Sequence, residues 1–223
     1  PLRVALATIG RFHSFDLARE LQHHDALAAI YTGYPRRNFR DSGVDARLIR
    51  PFPWLQTPLA LAQRWHMVSD GIYRRLNWRS LEALDRFVAQ NLVPCDLLSA
   101  LSGTGLASGR EMQRRGGVYV CDRGSTHIAF QDRILSEEFA RLGLSFAGIE
   151  PRIKDREISE YEQADAITVP SGFALQSFTD MGVAADKLHR IPYGVDISAF
   201  RATTVRDDEF RVLFVGALGV RKG

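Results

Sequence analysis

The segment Asp122-Arg123-Gly124-Ser125-Thr126-His127 places a carboxylate, a guanidinium group, hydroxyls and an imidazole within six positions. It directly follows the apolar run Gly117–Cys121 and precedes a helical pattern. An imidazole suits the transfer of a proton near neutral pH, so we predict that His127 acts in catalysis together with Asp122. Two alternatives stay open: Asp122 or Arg123 could cap the next helix or form a structural ion pair, and His127 could be a packed residue.

The segment Ile9-Gly10-Arg11-Phe12-His13 joins the first apolar run to the first helical pattern. Gly10 permits close approach of the backbone, and the free N–H groups at a helix N-terminus attract phosphate. We therefore predict an anion site here. A single glycine is less than the three-glycine fingerprint of dinucleotide sites. A tight turn with a solvated Arg11 and an unliganded His13 is the alternative interpretation.

Two further polar segments have simpler structural interpretations. The segment Ser102–Gly105 could cradle an acceptor molecule, but we favour a helix cap. The segment Glu150–Glu162 carries opposite charges three or four residues apart, which is typical of a solvated helix face. Arg152 is the exception, since it follows a Glu–Pro step and could point into a cleft.

Short apolar runs must position these groups, and they alternate with longer amphipathic runs. Such a pattern predicts a doubly wound, Rossmann-like α/β fold with a mainly parallel sheet and helices on both faces. Ligands in such folds bind beyond the carboxyl ends of the strands, where the polar segments above lie. The predicted strands are Arg3–Thr8, Ala28–Thr32, Asp96–Ala100, Gly117–Cys121, Ala166–Pro170, Leu188–Pro192 and Phe210–Gly216.

Two stretches interrupt the alternation. The segment Gly33–Pro58 is rich in arginine and proline and has no clear period, so we predict an excursion from the sheet. The segment Leu59–Asn91 is mostly helical, with Trp65 and Trp78 among several arginines. Three interpretations of this stretch stay open: packed core, an acceptor groove, or an anchor on anionic lipid.

The composition is that of a globular protein, since 45% of the 223 residues are apolar and 25% are charged. The formal net charge of +3 comes mostly from arginine, which suits a phosphate-bearing ligand. Cys95 and Cys121 have no metal-ligand spacing and form no disulfide framework, so we predict a reducing, cytoplasmic location. No apolar run is long enough to cross a bilayer, and none has the pattern of a signal peptide.

The last sixty residues carry three ordered segments. They are A-D-A-I-T-V-P-S-G-F, M-G-V-A-A-D-K-L-H-R-I-P-Y-G-V-D and F-R-V-L-F-V-G-A-L-G-V-R-K-G. The first two predict a strand, a helix capped by Ser171, a stop at Gly182 and a second strand. Together the segments resemble the interdomain region of family 4 glycosyltransferases of the GT-B fold. The likeness is looser over Cys121–Glu162 and only general over Pro1–Asn91.

The resemblance implies an enzyme that moves a sugar from a nucleotide-sugar donor to an acceptor hydroxyl with retention at the anomeric carbon. It divides the chain into an acceptor-side domain at 1–196, a linker at 197–209 and the start of a truncated donor-binding domain at 210–223. The implied partners are the donor and a sugar, glycolipid or small-molecule acceptor, with no nucleic acid, no metal and no other cofactor. A location at the inner face of the membrane is also open.

The resemblance also assigns roles to individual residues, and direct attack by the acceptor hydroxyl is the expected chemistry. His127 and Asp122 would be catalytic. The donor phosphates would be bound by Gly10, Arg11, Gly216, Arg221 and Lys222. The acceptor or the sugar would be contacted by His13, Arg123, Ser125 and Ser171.

The sequence departs from the family pattern at three places. Tyr193 stands where asparagine is commoner. Ala217 stands where an arginine usually helps to hold the diphosphate, and Arg221 could supply that charge. The family's paired-glutamate motif would lie beyond Gly223. Two other hypotheses therefore stay open: a sugar phosphorylase or epimerase of the same fold, and a non-catalytic module that binds carbohydrate or lipid.

Overall fold

One parallel sheet of seven strands organises the chain. The computed structural model describes residues 2–195, 197, 200–201, 210, 212–216 and 219–222. The strand order is β3-β2-β1-β4-β5-β6-β7, and every neighbouring pair is parallel. The strands are β1 (Val4–Thr8), β2 (Leu27–Thr32), β3 (Ile49–Pro51), β4 (Leu97–Leu101), β5 (Val118–Asp122), β6 (Ala166–Val169) and β7 (Leu188–Arg190).

Helices cover both faces of this sheet. Because side chains alternate along a strand, Val4 and Leu6 of β1 join one apolar cluster while Ala5 and Ala7 join another. The predicted doubly wound α/β fold is therefore confirmed. The helices are α1 (Ser14–His23), α2 (Gln56–Arg64), α3 (Asp70–Gln90), α4 (Leu106–Arg114), α5 (Ile128–Arg141), α6 (Pro151–Gln163) and α7 (Gly172–Asp180).

The ends of α7 follow the predicted signals. The Ser171 hydroxyl accepts a hydrogen bond from the Ala174 N–H at 3.1 Å, which caps the helix. The helix ends at Asp180, and Gly182 then adopts a φ of 84°, a left-handed conformation that glycine tolerates without steric cost. Both the predicted cap and the predicted stop are confirmed.

Strand β3 is absent from the predicted strands, because it lies inside the stretch Gly33–Pro58 that we expected to leave the sheet. It has only three residues and pairs with β2 at the sheet edge, where Ile30 faces Ile49. Ile49 is buried while Arg50 is exposed. So short a strand, with an arginine at its centre, carries no periodic signal that sequence could show.

The predicted strand Phe210–Gly216 is not formed in the described part of this segment. Phe210 and Val212–Gly216 have no strand conformation, and the side chains of Phe210, Val212 and Val215 are more than four-fifths exposed. A strand needs neighbours to pair with, and these residues are not hydrogen-bonded to the sheet. The proposed linker at 197–209 lies mostly outside the described residues, as do Ala217 and Gly223, so the division into domains stays a prediction.

A buried carboxylate holds the loop between β4 and α4. Glu160 is fully buried, and its two oxygens accept the N–H groups of Gly103 and Gly105 at 2.5 and 2.9 Å. The segment Ser102–Gly105 leads into α4, but it does not supply the helix cap that we favoured: Gly105 makes no side-chain cap, and Glu160 of α6 binds the backbone of the segment instead. The solvated face expected over Glu150–Glu162 is wrong at this position, because α6 turns Glu160 towards backbone donors inside the protein.

A second buried carboxylate binds the start of α4. Asp85 of α3 accepts the N–H groups of Ala107 and Ser108 at 2.7 and 2.9 Å. Arg156 donates to Asp85 and lies 3.5 Å from Glu160, so one guanidinium group faces both carboxylates. Three helices are thus joined at the carboxyl end of β4.

Glu160→Gln should change the pH dependence of stability. Burial raises the pKa of Glu160 from 4.5 to about 8, against the opposing effect of Arg156. Because the folded state holds this proton more tightly, its contribution to stability is complete below pH 4.5 and is lost as the pH rises towards 8. The variant should lower the free energy of unfolding by about 1–3 kcal/mol at pH 5. It should also lack the decrease in stability that the wild type shows between pH 5 and pH 8. Urea unfolding at several pH values measures both, with the exposed Glu137→Gln as control; an unchanged pH profile would contradict the assignment.

Candidate functional site

An imidazole and a carboxylate meet at the carboxyl edge of the sheet. His13, at the start of α1, places Nε2 2.5 Å from Oδ2 of Asp122, the last residue of β5. β4 lies between β1 and β5, so the contact spans the end of that strand. The Thr168 hydroxyl on β6 donates to the other carboxylate oxygen at 2.8 Å. Asp122 is therefore held from two sides, and it orients the imidazole.

The tautomer of His13 decides which of its ring nitrogens can act as a base. If Nε2–H donates to Asp122, then Nδ1 carries the lone pair and can accept a proton. The His13 side chain is 25% exposed and that of Asp122 is 16% exposed, so both are partly buried and part of the imidazole surface is accessible to a ligand. A carboxylate that fixes the tautomer and stabilises the imidazolium is the standard support of a histidine base.

Tyr193 covers one side of His13. The two ring centroids lie 4.4 Å apart, with the planes inclined by 34°. A Cβ atom at Gly124 would lie 2.5 Å from the Tyr193 hydroxyl oxygen, so only glycine leaves room for this approach. Burial, followed by the charge of Asp122, raises the pKa of Tyr193. The phenol therefore stays protonated beside the pair.

An open cleft of about 770 Å³ begins at the loop that leads into His13. Arg11 lines it, is exposed, and forms no salt bridge among the described residues, so its guanidinium group is free to bind an anion. Aromatic rings and amide side chains form the remaining walls. The lining residues are Ile9, Gly10, Arg11, Phe12, Tyr34, Asn38, Phe39, Gln56, Tyr73, Asn77 and Leu81.

The predicted phosphate-binding residues lie in different parts of the chain. Gly10 and Arg11 are together in the cleft. Gly216 is not among the residues that line the cleft. Arg221 lies in the short 3-10 turn Val220–Lys222, which packs near α5, and the Lys222 side chain lies outside the described residues. The donor-binding roles of these three residues stay predictions.

His127 lies in a packed position. Its Nδ1 accepts the Ala129 N–H at 3.2 Å and so caps α5, while its backbone N–H donates to Ser177. The ring packs against both Tyr161 and Phe178, and the residue is 4% exposed. Burial, together with the charge of Arg123, lowers the pKa of His127 to about 4, so the ring is neutral. These contacts favour the packed role over the catalytic role that we predicted.

Arg123 and Ser125 are also engaged within the protein. Arg123 is nearly buried and forms a 2.7 Å salt bridge with Glu157, and it also donates to Gln131. The Ser125 hydroxyl donates to the same Gln131 oxygen at 3.2 Å. Arg123 therefore takes the structural ion-pair role that we left open, because buried carboxylate and carbonyl acceptors surround its guanidinium group. Ser171 is exposed and serves as the cap of α7.

Arg152 does not enter the cleft in the way we considered. Its Nε donates to Glu150 at 2.7 Å, and its guanidinium carbon lies 4.7 Å from the centre of the Trp78 ring. Trp78 is partly buried by this contact. The pair ties α6 to α3, so Trp78 belongs to the packed interpretation of Leu59–Asn91.

Sequence reasoning missed one contact and several residues of the candidate site. It did not pair His13 with Asp122, it gave Thr168 no role, and it treated Tyr193 as a neutral departure. Thr168 could have been found, since it lies on β6 directly opposite Asp122 in the predicted sheet. The cleft residues Tyr34, Asn38, Tyr73 and Asn77 come from segments without a motif, so nothing in their spacing could have identified them.

The geometry of the fold is similar to that of several solved sugar-nucleotide proteins. Medicago truncatula UGT71G1 complexed with UDP-glucose superimposes with a TM-score of 0.51 at 10% identity, over 92% of this chain and 54% of that one. TcCGT1 in complex with UDP gives 0.51 at 9% identity, over 92% and 53%. The UDP-GlcNAc 2-epimerase from Methanocaldococcus jannaschii gives 0.47 at 8% identity, over 85% and 44%.

The two superpositions with a TM-score above 0.5 support the fold alone, because their sequence identity is at most 10%. The chain spans about half the length of the solved structures that it matches. No family model matches the chain, and no curated protein matches it at a significant level. Among the described residues, no cluster of three or more His, Cys, Asp or Glu side chains is arranged to hold a metal ion.

None of the described helices combines the length and the apolar character needed to cross a membrane.

His127→Asn should separate the packed role of this residue from catalysis. Asparagine is also a good N-cap, so α5 keeps its cap, but the contacts with Tyr161 and Phe178 are reduced. We expect the free energy of unfolding to fall by about 1–3 kcal/mol, with turnover changed by less than about threefold. Denaturant unfolding and turnover of the protein at its full natural length measure the two effects. A hundredfold loss of turnover in a folded variant would assign catalysis to His127 instead.

Proposed function

We propose that this chain is the acceptor-side part of a glycosyltransferase that uses a nucleotide-sugar donor, with His13 as the general base. The observation that carries the proposal is the contact between His13 and Asp122 at the carboxyl edge of the sheet. The resemblance of the last sixty residues to family 4 glycosyltransferases supports the donor class. The names of the proteins with the same fold agree with it.

The reaction can be written with the chain's own groups. An acceptor hydroxyl donates its proton to Nδ1 of His13, and Asp122 stabilises the imidazolium that forms. The hydroxyl oxygen bonds to the anomeric carbon while the bond from that carbon to the diphosphate breaks. The leaving diphosphate takes the electron pair, and positive side chains stabilise its charge.

The cleft is the proposed acceptor site, because its wall Ile9–Phe12 continues directly into His13. Aromatic walls suit the apolar or ring faces of an acceptor, and the amides of Asn38, Gln56 and Asn77 can hydrogen-bond to its hydroxyls. Arg11 is exposed at the same wall and suits a phosphate oxygen of the donor. We propose that Arg221 and Lys222 supply further positive charge.

His13→Ala and Asp122→Asn should each impair turnover. Loss of a general base costs about a hundred- to ten-thousandfold in rate, and the amide at Asp122 no longer fixes the tautomer of His13. We expect the KM for the donor to change little, because neither residue is proposed to bind it. Release of nucleoside diphosphate from a panel of nucleotide sugars measures turnover, with chelator present since we expect no need for metal.

His24→Ala is the matched control, because His24 is an exposed histidine at the other end of α1. It should leave turnover unchanged. Full activity in a folded His13→Ala variant would refute the base. Binding of a glycan without any transfer or hydrolysis of a nucleotide sugar would point instead to the non-catalytic module, and activity with free phosphate to a phosphorylase.

The configuration of the product tests the stereochemical part of the proposal. The resemblance predicts retention, in which the acceptor attacks from the face that the diphosphate leaves. A base that activates the acceptor is also the component that a direct displacement with inversion requires. Proton NMR of the first product formed, recorded before mutarotation, gives the anomeric configuration. A retained configuration supports the family prediction, and an inverted one separates this chain from that family while keeping His13 as base.

A further inference from the structure

We propose that an exposed surface on α2 and α3 docks this protein onto an anionic lipid membrane. Seven large apolar side chains within residues 54–76 are exposed, in α2, in α3 and in the segments directly before and after α2, and we call this group the α2–α3 surface. They are Trp54, Leu55, Leu61, Trp65, Met67, Ile72 and Leu76.

The exposure of these side chains is high for their size. Trp54 is 74% exposed, Trp65 is 65% exposed and Met67 is 71% exposed. Tryptophan is normally well buried in a protein that only faces water, and clustered exposed apolar groups mark an interaction site. The packed interpretation of Leu59–Asn91 holds for Trp78 but not for Trp65.

Helix α3 has two distinct faces in this region. Tyr73, Asn77 and Leu81 recur every four residues and line the cleft. Ile72 and Leu76 form an exposed stripe beside them, one residue earlier in each turn. The α2–α3 surface therefore lies next to the cleft without being part of its lining.

The charge of the segment identifies the partner. Residues 54–79 contain four arginines and one aspartate, with no glutamate or lysine. Arg75 and Arg79 are exposed on the same stripe as Ile72 and Leu76, and neither forms a salt bridge within the part of the chain that is described. Exposed tryptophan and leucine beside unneutralised arginine match the interface of a bilayer with anionic headgroups.

The segment suits attachment in the plane of a membrane. α2 has only nine residues and α3 carries polar groups throughout, so both can lie along the interface with the apolar stripe turned to the acyl chains. Docking in this way would bring the cleft beside the lipid headgroups. The inference stands on the exposed surface itself and does not require glycosyl transfer.

Co-sedimentation with vesicles tests the proposal on the protein at its full natural length. We expect binding to vesicles of equal parts phosphatidylcholine and phosphatidylglycerol, little binding to phosphatidylcholine alone, and weaker binding as salt rises. The variant with Arg64, Arg75 and Arg79 changed to Gln should bind about a hundredfold more weakly, since each arginine contributes about 1 kcal/mol at such a surface. Trp54→Ser with Trp65→Ser should also weaken binding, by at least about tenfold.

Matched controls remove the same charge and apolar area elsewhere. Changing Arg86, Arg114 and Arg141 to Gln removes three exposed arginines that form local salt bridges, and Leu142→Ser with Leu144→Ser removes two exposed leucines. Both should bind like the wild type. Equal binding to both vesicle types, or equal effects of control and surface variants, would overturn the proposal. So would a dimer in sedimentation equilibrium that only the tryptophan variant loses, because a second copy would then occupy the surface.

Discussion

The contact between His13 and Asp122 depends on how the end of β4 is held. The two residues bond across this strand, so the loop after β4 has to turn away from the space between them. Glu160 binds two N–H groups of that loop, and Arg156 joins Glu160 to Asp85. Asp85 and Arg156 form a buried ion pair, which is costly unless both members have further partners, and the N–H groups of Ala107 and Ser108 at the start of α4 are partners of Asp85. These contacts hold the loop after β4 in place, so the space between His13 and Asp122 stays open for their contact.

Much of the fold could be predicted because its signals are local. Apolar runs predicted six of the seven strands to within two residues, and Ser171 and Gly182 marked the ends of α7 correctly. The β3 edge strand and the segment after residue 210 were missed for the same reason. A short strand depends on its neighbours, and these are set by tertiary contacts rather than by the residues of the strand itself.

The site was predictable in position but less so in its members. The rule that ligands bind at the carboxyl ends of parallel strands located both loops, yet it could not show which side chains turn inward. His127 and His13 lie in comparable loops. The packing of Tyr161 and Phe178 distinguishes them, because it encloses the imidazole of His127 while that of His13 stays partly exposed. Distant pairs and buried carboxylates with backbone partners carry no sequence pattern.

Tyr193 connects the turn that follows β7 to the loop between β1 and α1. It follows β7, but its ring lies against His13, and Gly124 leaves no spare room around its hydroxyl. A small displacement of this turn would therefore change how much water reaches the imidazole. On the proposed function, the exposure of His13 to water, and with it the hydrolysis of a bound donor, would depend on the position that the chain takes after Tyr193.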